Sequence, residues 1–156
     1  MDDWPKSNKK SINDRLDEQM KQARQVVEMI HAQRKQAGIK VRQPLRSLVA
    51  TTTIPLYASI QELVRQEVNV KVIANNIGKK LNIKLDLKLN ASLITEGEMR
   101  DIIRQIQAER KKLGTRLDEK VDVNLPNWPK EFENEIKRRA LIDKLEKANE
   151  FKVVRK

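Results

Sequence analysis

The chain contains no cysteine in 156 residues, and its only histidine is His31. Disulfides are therefore excluded, and so is a structural zinc site, which needs a set of sulfur or imidazole ligands. Glycine occurs only four times, at Gly38, Gly78, Gly97 and Gly114, always isolated. No glycine-rich phosphate loop can be built from such spacing. Long apolar runs are missing, and the opening Met-Asp-Asp-Trp-Pro-Lys has no hydrophobic core of a signal peptide. The expectation is a cytoplasmic protein with no membrane partner. Aromatic residues make up 3% of the chain, namely Trp4, Tyr57, Trp128, Phe132 and Phe151. Base stacking on aromatic rings is thus a weak option.

What the chain has in abundance is charge. Charged residues are 35% of the sequence, and the formal net charge is +11. A balance this basic favours polyanionic partners, the alternative being a solvated basic surface. The apolar fraction of 38% is low but periodic, which argues against disorder. The length allows one domain or two small ones.

The main pattern is an internal repeat at an offset of 76 residues. Ala32-Gln-Arg-Lys-Gln-Ala-Gly38 closes one amphipathic helix, and Ala108-Glu-Arg-Lys-Lys-Leu-Gly114 closes another. Arg34 registers on Arg110, Lys35 on Lys111, Gly38 on Gly114 and Val41 on Leu117. Extended runs follow at Ile39–Val49 and Lys120–Leu125. A constant offset over this many positions indicates two copies of one supersecondary unit.

Ile12, Leu16, Met20, Ala23, Val27 and Ile30 form the stripe of a long first helix, with Ser11 and Asp14 as start signals and Gly38 as its stop. Ile39 to Thr53 reads as extended chain, with Lys40 and Arg42 on one side and Ile39 and Val41 on the other. A helix follows Pro55, carrying Ile60, Leu63, Val64 and Val68, and then a strand at Val70–Ile73. Asn75-Asn-Ile-Gly78 reads as a turn and a boundary. Leu81 to Leu89 alternates strictly with polar residues, as a strand does. Asn90 or Thr95 can cap the next helix, whose stripe is Met99, Ile102, Ile103, Ile106 and Leu113. A strand at Val121–Val123 follows. Trp128-Pro129 then enters a helix with Phe132, Ile136, Leu141 and Leu145, and Phe151–Val154 is the last strand. Trp4 and Trp128 both precede prolines and read as helix-entry anchors. The predicted fold is α+β: a long N-terminal helix and two quasi-repeated α-β-α-β units with a mixed or antiparallel sheet. The expected segments are 1–38, 39–76 and 77–156.

The residues "RKQAGIKVRQPL" (Arg34–Leu45), preceded by Trp4-Pro5 and a long amphipathic helix, resemble the C-terminal part of isoleucyl-tRNA synthetases. The second copy resembles the C-terminal domain of the archaeal and eukaryotic-like type. The matching residues there are Leu85-Asp86, Glu96-Gly97, Arg100-Asp-Ile-Ile-Arg-Gln-Ile-Gln107, Arg110-Lys111 and Gly114. The resemblance implies that 1–38 is the exit helix of an anticodon-binding domain and that 77–156 is a C-terminal domain. It further implies tRNA and the rest of a synthetase as partners. The parent enzyme would join isoleucine to its tRNA using ATP in a catalytic domain elsewhere. The HIGH-type and KMSKS-type motifs of that chemistry are absent from these residues, so this chain is expected to need no cofactor and to hold no catalytic residue. It is expected to be a monomer. A different reading is a free-standing basic module that binds structured RNA or a protein.

Within that frame the basic residues divide into two groups. No acidic residue lies between Arg34 and Gln61, whereas Lys35, Lys40, Arg42 and Arg46 do. These four are the first candidate tRNA-backbone contacts. Lys111, Lys112 and Arg116 are the second set, diluted by Glu109, Asp118 and Glu119. Arg34 and Arg110 each follow a stripe isoleucine by four residues, so each emerges on an apolar face. Each needs an acceptor, either within its own module or on RNA; the repetition favours the module.

Overall fold

A computed structural model describes residues 13–155. The fold is α+β, with two separate three-stranded sheets. The elements are α1 (Asp14–Gln36), β1 (Leu45–Thr52), α2 (Ala58–Glu67), β2 (Val70–Ile77) and β3 (Asn82–Leu85). They continue as α3 (Ala91–Lys112), β4 (Val121–Leu125), a 3-10 turn (Lys130–Phe132), α4 (Glu133–Ala140), β5 (Ile142–Lys147) and β6 (Lys152–Arg155). Each half thus runs α-β-α-β-β, one strand more than the sequence pattern assigned to a unit. The first strand of each half is central, in the orders β2-β1-β3 and β5-β4-β6. Two compact units result. One comprises the described residues up to Gly38 with Ser47–Asp86, and the other comprises Ile39–Arg46 with the described residues from Leu87 onward.

In the first unit α1 starts where Asn13 accepts a hydrogen bond from the Leu16 amide at 3.1 Å. Asp14 and Asp17 sit in the first turn and Arg34 and Lys35 in the last, each favourable to the helix dipole. The buried face is Gln19, Gln22, Ala23, Val26, Ile30 and Arg34. That corrects the predicted stripe: Leu16 is exposed, while Met20 and Val27 are only half-buried. The reason is polar. Gln22 accepts from the Thr53 amide (3.0 Å) and Gln19 from the Tyr57 amide (2.9 Å). The two glutamines satisfy the backbone of a segment that has no strand or helix partner of its own. Ser11, Ile12 and Trp4 lie outside the described residues.

Asn75-Asn-Ile is not a turn but the end of β2. Asn75 donates to Thr52 Oγ1 (2.8 Å) and Ala50 O (3.3 Å) and accepts from the Leu56 amide (3.2 Å). A residue that favours turns is used here to stitch β2 to the far end of β1. The Leu81–Leu89 alternation yields only β3, antiparallel to β1 with Ala50 opposite Ile83. Leu87 and Leu89 are exposed, so the alternation outlasts the strand.

The second unit has the cleaner core. Met99, Ile103 and Ile106 of α3 pack with Val121, Val123 and Leu125 of β4, and with Trp128, Ile136, Ile142 and Val153. Asn90 caps α3 by accepting from the Leu93 amide at 2.9 Å. Thr95 lies inside the helix, its hydroxyl donating to Ala91 O, so it is not the cap. β4 is parallel to β5, reached through α4, and antiparallel to β6. Helix α4 stops at Ala140, and Leu145 belongs to β5, because Leu141 turns left-handed at φ 55°. Asn69 makes the same turn after α2 at φ 54°. Asn tolerates that conformation more readily than Leu. Trp128 is buried, and its indole donates to Glu133 Oε2 at 2.9 Å. Hydrogen bonds from Lys137 and then Trp128 hold the Glu133 carboxyl down at about 2.

Candidate nucleic-acid interface

Both long helices end in the same loop. Gly38 and Gly114 take φ of 66° and 64°, a conformation that glycine adopts without penalty. The Gly38 amide donates to Lys35 O and the Gly114 amide to Lys111 O, each at 3.2 Å. Further on, the Gln43 amide donates to Lys40 O (3.0 Å) and the Glu119 amide to Arg116 O (3.3 Å). Residues 39–43 therefore form a tight turn and not the extended run expected from their period of two. β1 begins only at Leu45.

Arg34 and Arg110 are both buried at the ends of their helices. Arg34 Nη2 donates to Val68 O at 2.6 Å and Asn69 O at 3.2 Å, the carbonyls that close α2. Burial brings its guanidinium down to about 10, so it remains a cation at neutral pH. Arg110 donates to Glu119 O at 2.6 Å and Arg116 O at 3.0 Å, inside its own loop. The two arginines are equivalent in sequence but tie down different segments.

The other basic side chains face outward to differing degrees. Lys35, Arg46, Lys111 and Arg116 are exposed. Lys112 pairs with Glu109 at 2.6 Å, and the Arg116 guanidinium is in loose 3.8 Å contact with Asp118 while its amide donates to Glu119 Oε2 at 3.0 Å. Lys40 and Arg42 both reach Asp101 of α3, at 2.6 and 3.5 Å. A cavity of about 490 Å³ opens there, lined by Lys40, Val41, Arg42, Asp101, Arg104 and Gln105. Arg104 was not singled out from the sequence; its place one helical turn beyond Asp101 was the available signal. Arg139 was missed likewise, because it comes from α4 and joins Arg116 only through the fold. His31 is half-buried, and its Nδ1 has no hydrogen-bond partner among the described residues. No group of residues suited to holding a metal ion occurs among them.

No family model matches the chain. Among curated proteins it is 32% identical over 87 residues to the isoleucine--tRNA ligase of Thermococcus kodakarensis, covering 53% of this chain and 8% of that protein. The ligase of Cytophaga hutchinsonii is 37% identical over 75 residues, 46% of this chain and 7% of that protein. That of Bacteroides fragilis is 26% identical over 114 residues, 73% of this chain and 9% of that protein. The chain is a relative of the isoleucine--tRNA ligases. It spans less than a tenth of their length.

Parts of two blocks that carry the resemblance to isoleucine--tRNA ligases, residues 39–45 and Glu96-Gly97, lie together in the second unit. Gln43 of "KVRQPL" donates to Leu93 O at 2.6 Å, and its amide lies where a Cβ on Gly97 would stand. Glycine at 97 leaves room for that side chain against α3, at a cost in helix propensity of about 1 kcal/mol. The expected result is a change of sign. Gly97→Ala should destabilise the native chain, by about 1 kcal/mol, by displacing Gln43 from its carbonyl. In a Gln43→Ala background the same change should stabilise it by about 0.5–1 kcal/mol. Denaturant unfolding of the four chains decides, and additive effects would reject the contact.

Proposed function

We propose that this chain is the C-terminal region of an isoleucine--tRNA ligase and that it braces the anticodon arm of tRNA. On this reading α1 is the last helix of the anticodon-binding domain, and the second unit, Ile39–Arg46 with the described residues from Leu87 onward, is the C-terminal domain, which moves its start from residue 77 because β3 pairs with β1 of the first unit. Lys35, Lys40, Arg42, Arg46, Lys111, Lys112 and Arg116 meet the phosphate backbone. The chain acts as one copy, joined to the rest of a cytoplasmic synthetase that supplies ATP and isoleucine chemistry. The observation that carries the reading is the repeated loop. Its buried arginine is committed to backbone carbonyls, which leaves the flanking Lys35 and Lys111 exposed at the helix ends.

Phosphate contacts position a nucleic acid without reading its sequence. Scarce aromatics and abundant cations suit that task better than base recognition. Binding energy gained at the anticodon arm would help deliver the distant acceptor end to a catalytic domain. The test has two arms. The isolated chain should bind tRNA, and it should show no isoleucine-dependent ATP–pyrophosphate exchange. Exchange activity that persists through stringent purification would overturn the accessory role, and failure to bind tRNA at low salt would overturn the bracing role.

A further inference from the structure

We infer that the second loop holds a seat for one unpaired RNA nucleotide, with its base against Leu117 and its phosphates on Lys111, Arg116 and Arg139. The inference rests on the RNA-binding reading and adds to it a contact with a base. Leu117 is 95% exposed, more than any other large hydrophobic among the described residues. It stands between the charged residues Arg116 and Asp118, in a loop that continues with Glu119 and Lys120. An apolar side chain held in water at that position stabilises nothing within the fold.

Beside it opens a cavity of about 500 Å³ whose lining includes Arg110, Lys111, Arg116 and Arg139 but no acidic residue. Leu117 and Leu141 supply its apolar wall. Arg110 is engaged by Glu119 O and Arg116 O, so it fixes the loop and leaves ligand contact to the others. The Glu119 carboxylate at this loop is taken up by the Arg116 amide at 3.0 Å and by Arg155 at 2.6 Å, and two other carboxylates hold the rim cations weakly. Asp118 is 3.8 Å from Arg116, and Glu135 is 3.3 Å from Arg139, both as surface pairs that re-form readily. An apolar wall framed by three available cations matches a nucleotide, whose base is a flat π-face and whose linkages are anionic. A paired duplex presents only the anionic part. The first loop repeats the pattern at its tip, where Val41 occupies the register of Leu117 and is 48% exposed.

The experiment compares two RNAs of equal charge by fluorescence anisotropy with the full chain. One is a stem closed by a single-stranded loop; the other is fully paired. The native chain should prefer the looped RNA. Leu117→Ser should remove that preference, weakening looped-RNA binding roughly ten-fold while leaving the duplex affinity and the salt slope unchanged. Leu117→Met should restore it. Because the side chain lies in solvent, both variants should melt with the native chain. If Leu117→Ser binds the looped RNA as well as the native chain does, the seat for a base is wrong while backbone binding stands. If the native chain binds neither RNA, both readings fall together.

Discussion

Replacing Arg34 by alanine should destabilise the chain by about 2–3 kcal/mol, the largest loss expected from any surface-distant polar residue here. Arg34 is 1% exposed and links the end of α1 to the carbonyls of Val68 and Asn69. Those carbonyls sit at the negative end of α2, where a cation is favoured. Alanine would strand both acceptors and empty the space filled by the aliphatic stem. Burial also penalises the charge, as the lowered Arg34 pKa of about 10 records. Arg34→Met should therefore fall between native and alanine, since it keeps volume and removes the buried charge. Arg34→Lys should recover part of the loss but not all, because one ammonium cannot reproduce a planar fork. Arg110→Ala should cost less, about 1–2 kcal/mol, since its acceptors are loop carbonyls that water can reach. Thermal and denaturant unfolding measure all four. An Arg34→Ala chain that melts where the native chain melts would reject the account of this residue.

The second large effect is on binding. Replacing Lys111, Arg116 and Arg139 together by alanine should lower tRNA affinity at low salt roughly a hundred-fold, at about 1 kcal/mol per phosphate contact. The log-affinity against log-salt slope should fall in magnitude by about 2–3. Stability should barely change, because Lys111 and Arg116 are exposed and the Arg139–Glu135 pair is a surface one. The equivalent change at Lys35, Lys40 and Arg42 should behave differently. Lys40 and Arg42 already hold Asp101, whose side chain is only 27% exposed. Removing them should cost about 1 kcal/mol of stability and a smaller part of the salt slope. Equal slopes from the two triple variants would refute the distinction between engaged and available cations.

The repeat was legible because it is written in residues whose roles are local. Glycine in the left-handed region and a cap such as Asn90 act within a few positions of themselves, and an arginine four residues after a stripe isoleucine is placed by its own helix even where, as for Arg34, its acceptors are distant. The offset of 76 residues survives down to individual hydrogen bonds at Gly38 and Gly114. What failed was whatever depends on a distant partner. Gln19 and Gln22 look like solvent-facing residues until the amides of Thr53 and Tyr57 arrive beside them. Asn75 reads as a turn, yet it is consumed by Thr52 and Ala50. Leu81–Leu89 alternates beyond the length that β1 can pair. For the candidate site, the exposure of Lys35 and Lys111 follows from helix position. The capture of Lys40 and Arg42 by Asp101 does not, because 59 to 61 residues separate them.

If this chain holds tRNA by its phosphate backbone, binding must weaken steeply with salt. A labelled tRNA titrated with the full chain between about 50 and 200 mM salt should give a straight log–log plot. The expected slope is about −3 or steeper, corresponding to four or more phosphates neutralised at roughly 0.7–0.9 per contact. Affinities for different tRNAs should differ little beside that slope. Absence of binding at the lowest salt, or an affinity that salt leaves unchanged, would contradict the account.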